Sequence, residues 1–94
     1  MPKTKQLSAA EQRKKIRKLT NNIARAVKEI KYCIVHKTEL DRDLNTALNK
    51  ADMGQFAVSL ISIKIVLIAM TVHARTIVQA ESDVRRLQRV LTGN

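Results

Sequence analysis

Aromatic side chains are almost missing from this chain: Tyr32 and Phe56 are the whole complement, and there is no Trp. Few rings are therefore available to stack on bases, which argues against recognition of single-stranded nucleic acid. Glycine and proline are equally scarce, being limited to Gly54, Gly93 and Pro2. A composition so poor in turn formers and in strand-favouring aromatics is a helical one. The single cysteine, Cys33, excludes an intramolecular disulfide framework. No cleavable-signal pattern opens the sequence, because its apolar run lies far from the N-terminus. A cytoplasmic or nucleoid setting, or a virion, is the expected location.

Acidic residues are the last shortage. Eight Asp and Glu stand against eighteen Lys and Arg, leaving a net charge of +10 on 94 residues. Such an excess repels itself unless salt or a polyanion screens it, so nucleic acid is the first partner class to consider and an anionic membrane the second. A chain of this length makes one small domain that buries only about 60–65 % of its unfolded surface. Stability in such chains often comes from oligomerisation.

A long heptad dominates what is present. Phe56, Ile63, Met70, Ile77, Val84 and Leu91 recur every seven residues, with Val66, Ala80 and Leu87 between them. One helix through this pattern would be roughly 54 Å long at 1.5 Å per residue, and a helix of that length needs a partner. A second seam runs through Ile16, Leu19, Ile23, Ala26, Ile30, Cys33, Leu40, Leu44, Ala47 and Ala51, broken by Lys37. Ser8-Ala9-Ala10-Glu11 has the spacing of a capping box that starts this first helix. Asp52 is placed to cap the second, and Gly54 is expected to serve a tight turn.

The predicted fold is all-α: an antiparallel hairpin of two long helices, 8–52 and 55–92, which assembles into a larger helical oligomer. Residues 1–7 read as a basic flexible tail and 8–94 as one domain. With the turn centred near Met53, residues whose numbers add to about 106 should face one another. This register makes Cys33 a neighbour of His73 and brings Lys64 level with Asp41 and Asp43.

Positive charge collects at the open end. Lys14, Lys15, Arg17, Lys18, Arg25, Lys28 and Lys31 on the first arm lie beside Arg75, Arg85, Arg86 and Arg89 on the second. Apart from Lys15, these fall on the outer b, c and f positions of their heptads. Between residues 13 and 31 there are eight cations and one anion, Glu29. A face of this kind follows a phosphate backbone without reading bases, so duplex nucleic acid bound without strong sequence preference is the expected partner.

A second stripe comprises Val58, Ile61, Ile65, Ile68 and Val72, which lie behind the seam. The first helix cannot cover both faces, and a helix that is apolar all round is buried in an assembly or in lipid. Self-association through this stripe is the first reading. A membrane-embedded hairpin is an alternative weakened by length and by Lys64, since a mid-span lysine costs about 2.5–3.5 kcal/mol on insertion scales. A protein-only adaptor or chaperone, docking a partner helix on the stripe, is the other alternative.

Catalytic and metal chemistry find little support. Cys33 and His73 are the residue types of a nucleophile with its base, or of two metal ligands. No third ligand or oxyanion donor accompanies them, so both read as core residues. His36 and Glu39 have one-turn spacing but no matching second pair, and Tyr32 reads as an outward or interfacial aromatic. No enzyme activity, metal or cofactor is expected.

His73-Ala74-Arg75-Thr76-Ile77-Val78-Gln79-Ala80-Glu81-Ser82-Asp83-Val84 resembles the segment joining the long central helix to the last helix of histone-fold proteins. They too follow a histidine–alanine pair with a basic loop and an Asp-hydrophobic helix start. The resemblance implies a dimeric, DNA-compacting protein, with a central helix opening at Leu44-Asn45-Thr46 and Arg75 near phosphate. It requires a break between Arg75 and Asp83, where the heptad stays in phase, so a histone-fold dimer stands as the alternative architecture.

Overall fold

The computed structural model describes residues 8–93 and consists of two antiparallel helices, α1 (Ala9–Asn49) and α2 (Met53–Leu91). The basic tail expected at 1–7 lies outside the described residues. The capping box forms: the Ser8 amide donates to Glu11 Oε1 at 2.9 Å, and the Glu11 amide donates to Ser8 Oγ at 3.1 Å. The Ser8 amide, and next its hydroxyl, stabilise the carboxylate of Glu11 and hold it below the usual range.

The turn is built differently from the expectation. α1 ends in a six-to-one and five-to-two pair of bonds, Asp52 N to Ala47 O at 2.9 Å and Ala51 N to Leu48 O at 3.1 Å. Ala51 holds the left-handed position, with φ of 54°. Gly54 instead sits in the first turn of α2, and a Cβ there would meet Asp52 Oδ1 at an ordinary 3.6 Å. Asp52 caps α2 as predicted, accepting from the Gln55 amide at 3.0 Å. At its far end α2 closes on Gly93, whose φ is 84°.

Because the reversal occurs at Ala51 rather than near Met53, the arms pair about one helical turn away from the expected register. Leu40 packs with Ile63 and Val66, and Cys33, Leu44 and Met70 pack against that cluster. His73 lies beside Ala26 and Glu29. Cys33 thus packs with the Leu40 cluster while His73 lines a groove further toward the open end, so the expected juxtaposition of the two is not formed.

Alternation of four and three residues runs without a break along both seams. On α1 the seam runs through Gln12, Ile16, Leu19, Ile23, Ala26, Ile30, Cys33, Lys37, Leu40, Leu44 and Ala47, with Asn22 and Asp41 half-buried beside it. Lys37 is tolerated because its Nζ lies 2.8 Å from Asp41 Oδ2, one turn ahead on the same helix. On α2 the seam takes Ser59, whose hydroxyl accepts from Gln55 Nε2 at 3.1 Å. Leu60 is half-buried beside the seam, and Leu67 is exposed while Val66 is buried.

α2 is unbroken through residues 73–84, so the loop required by a histone fold is not formed. Nor does a helix begin at Leu44, which lies well inside α1. The molecule measures 68 × 24 × 17 Å, with a radius of gyration of 20.7 Å against about 12 Å for a compact domain of this length. Its accessible surface is 7261 Å², where about 5,500 Å² would be usual for a compact monomer of this mass.

Candidate nucleic-acid interface and assembly surface

Heptad phase decides where each charged side chain points. Lys14, Lys15, Arg17, Lys18, Arg25, Lys28 and Lys31 are all exposed on α1, and Arg75, Arg85, Arg86 and Arg89 are exposed on α2. The antiparallel pairing places these two sets at the same end of the hairpin, as expected from the sequence. Lys14, Lys15, Arg17 and Lys18 line one open concavity together with Glu11 and Asn21. Arg85 and Arg89 line another with Gln88 and Thr92.

Most of these cations are unpaired. Arg85 binds Glu81 at 2.8 Å and Arg86 binds Asp83 at 2.9 Å, both within α2. Among the described residues, Lys14, Lys15, Arg17, Lys18, Arg25, Lys28, Lys31, Arg75 and Arg89 form no ion pair. Glu29, the one acid of that stretch, is exposed and lines a groove with Arg25, His73 and Thr76. Arg13 adds an exposed cation that belongs to the same end. Exposed pairs such as Arg85–Glu81 contribute little to stability and yield readily to a stronger anion. From Lys14 to Lys31 the face spans about 26 Å, enough to track several successive phosphates.

The opposite half of α2 is apolar on its outer side. Val58, Ile61, Ile65, Ile68 and Val72 are between 54 and 64 % exposed, which for five branched aliphatic side chains in one row is a large unpartnered surface. Structure adds a ridge that the periodicity had not separated out: Val27, Ile34 and Leu48 on α1, with Leu67 on α2, are also exposed. The first three lie seven residues apart in a row interrupted only by Asp41. Tyr32 is exposed as well, beside Cys33, His36 and Ile65.

The pairing of Lys64 with Asp41 or Asp43, level with it in the expected register, is not formed. Lys64 is exposed and makes no ion pair, whereas Asp41 is taken by Lys37. The shifted register and the closer partner on its own helix account for this. His36 Nδ1 lies 3.9 Å from Glu39 Oε1, both exposed. Among the described residues, no group of three or more His, Cys, Asp or Glu is arranged to hold a metal ion. No known protein family, curated protein or solved structure matches the chain.

Proposed function

We propose that the protein is a non-enzymatic structural component of the nucleoid or virion-coat type, which self-associates through the turn half of α2 and binds nucleic acid through its open end. One observation carries the reading. A single outer stripe of α2 is apolar at Val58, Ile61, Ile65, Ile68 and Val72, then carries Arg75, Gln79, Ser82, Arg86 and Arg89 on the same unbroken helix. Folding one hairpin requires neither half of that stripe, since the seam lies on the other side. Its apolar half supports burial against protein, and its cationic half supports contact with a polyanion.

The unpaired cations favour backbone contacts over base reading, so duplex DNA is bound by charge and without strong sequence preference. Neutralising several phosphates releases counterions, and affinity should fall by roughly a thousandfold or more between 50 and 200 mM salt. Titration of the protein against two unrelated duplexes over that salt range tests the reading. Similar affinities and a steep salt slope are expected; salt-insensitive binding, or none at low salt, removes it.

An 18-residue window of α2 is apolar enough to cross a membrane, which supports a second reading as a lipid-embedded hairpin. The adjoining stretch of α1 opposes it, because Glu39, Arg42 and Asp43 are exposed there and α2 carries Lys64. Light scattering of the protein without detergent separates the two: a defined soluble oligomer supports assembly, and aggregation relieved only by detergent supports lipid. A small soluble oligomer that becomes heteromeric with a target protein and ignores DNA would instead indicate an adaptor.

A further inference from the structure

The residue types of the apolar stripe read the same in both directions, and their spacing about Ile65 does so to within one residue. Val58, Ile61, Ile65, Ile68 and Val72 follow 3, 4, 3, 4 spacing, with valine at each end, isoleucine between, and Ile65 in the centre. A row of this kind is self-complementary under a two-fold axis, the commonest symmetry of protein dimers. We infer that a second copy of the chain docks antiparallel on this stripe, with the two-fold axis at Ile65. The inference rests on the self-association proposed above and specifies its geometry.

Charge chooses between the two directions. Parallel pairing would lay Arg75, Arg86 and Arg89 of both copies along one interface and bring the cationic arms together at one end. Antiparallel pairing puts Arg75 opposite the start of the partner's α2, near Gln55, and sends the basic ends to opposite poles. Lys64 is the sole cation beside the axis; it lies at the edge of the stripe, where its long side chain can extend into water. Each of the five side chains still offers on the order of 100 Å², so the paired stripes would bury roughly 1,000 Å², the lower bound for a specific interface.

The geometry makes Ile61 a neighbour of the other copy's Ile68, and Val58 of its Val72. Ile65 faces its own counterpart. Arg89 lies twenty-four residues from the axis, so the two basic poles stand about 70 Å apart at 1.5 Å per residue. That separation is several Debye lengths at physiological salt, and each pole meets its own segment of polyanion.

Cysteine cross-linking in the full chain tests the arrangement. With Cys33→Ala as background, Ile65→Cys should form an interchain disulfide under mild oxidant in most chains. Val58→Cys alone and Val72→Cys alone should stay uncross-linked, because identical positions would be about 21 Å apart along the helices, far beyond disulfide reach. An equal mixture of those two variants should yield mixed dimers. Val58→Cys and Val72→Cys each self-linking as well as Ile65→Cys would overturn the antiparallel direction. An oligomeric mass by light scattering with no cross-link at any position would overturn this interface while leaving self-association intact. A monomeric mass for the unsubstituted protein would overturn self-association itself.

Discussion

The turn half and the open half of the hairpin share one seam and differ in almost everything outside it. Near the turn, the outer face of α2 is a row of exposed aliphatic side chains, while α1 beside it carries charges of both signs. Near the open end, both arms are cationic and largely without ion pairs. The two halves use the same helix geometry, so the contrast lies in what is presented rather than in how the chain is folded. Folding sets the a and d positions; the b, c and f positions remain available for interaction. In one half they favour exclusion of water, and in the other they favour a counter-charge.

The strongest test of this division is to charge the apolar half. Replacing Ile61 and Ile68 together by Asp should lower the assembled mass to that of one chain, with association weakened at least a hundredfold. Unchanged mass would show that the stripe is no self-interface. Next in size, Lys14, Arg17 and Lys18 changed together to Ala should leave the mass alone and reduce DNA affinity about tenfold to a hundredfold at moderate salt. The log–log salt slope should fall by about 2.7, at 0.9 per phosphate contact.

A smaller effect should come from relieving the turn. Ala51→Gly removes the side-chain conflict of a left-handed alanine, a cost of roughly 1–2 kcal/mol that glycine's added chain entropy partly offsets. A rise of a few degrees in the thermal midpoint is expected, without change in DNA affinity. The smallest effect concerns Glu11. Because its folded-state carboxyl titrates below the unfolded one, its contribution is present above the unfolded pKa and is lost as pH falls through the folded pKa. Acidification should therefore fray the start of α1 first, seen as a loss of protection at the amides near Ser8 once the intrinsic exchange rate at each pH is divided out. Glu11→Gln should flatten that response.

Much of the fold could be read from spacing. The unbroken heptads, the capping box at Ser8 and Glu11, and the cap at Asp52 are local signals, and each appears where its residue types predict. Register was less legible, because a glycine near the turn is the natural choice for a left-handed residue, and here an alanine three positions earlier takes that conformation. The resulting displacement separated Cys33 from His73 and Lys64 from Asp41. Phase on α2 was ambiguous for a related reason. Where apolar residues surround a helix, leucines at 60 and 67 compete by hydrophobicity with Ser59 and Val66, and packing against α1 buries the latter pair. The ridge of Val27, Ile34 and Leu48 was hidden by Asp41 within its row. Positions of the cations were legible throughout, but their freedom from ion pairs required the fold.

The seam itself is thin. Of its buried residues among those described, Ala26, Ala47, Ala80 and Ser59 are small, and only Leu40, Ile63 and Val66 are large and apolar. A single chain so constructed has little interior with which to oppose its own conformational entropy. If the missing interior is supplied by other copies, folding obeys mass action: the melting point climbs with protein concentration, and scarce chains are the least protected. Such a protein would be most durable where it is most abundant, which suits a component that functions only in numbers.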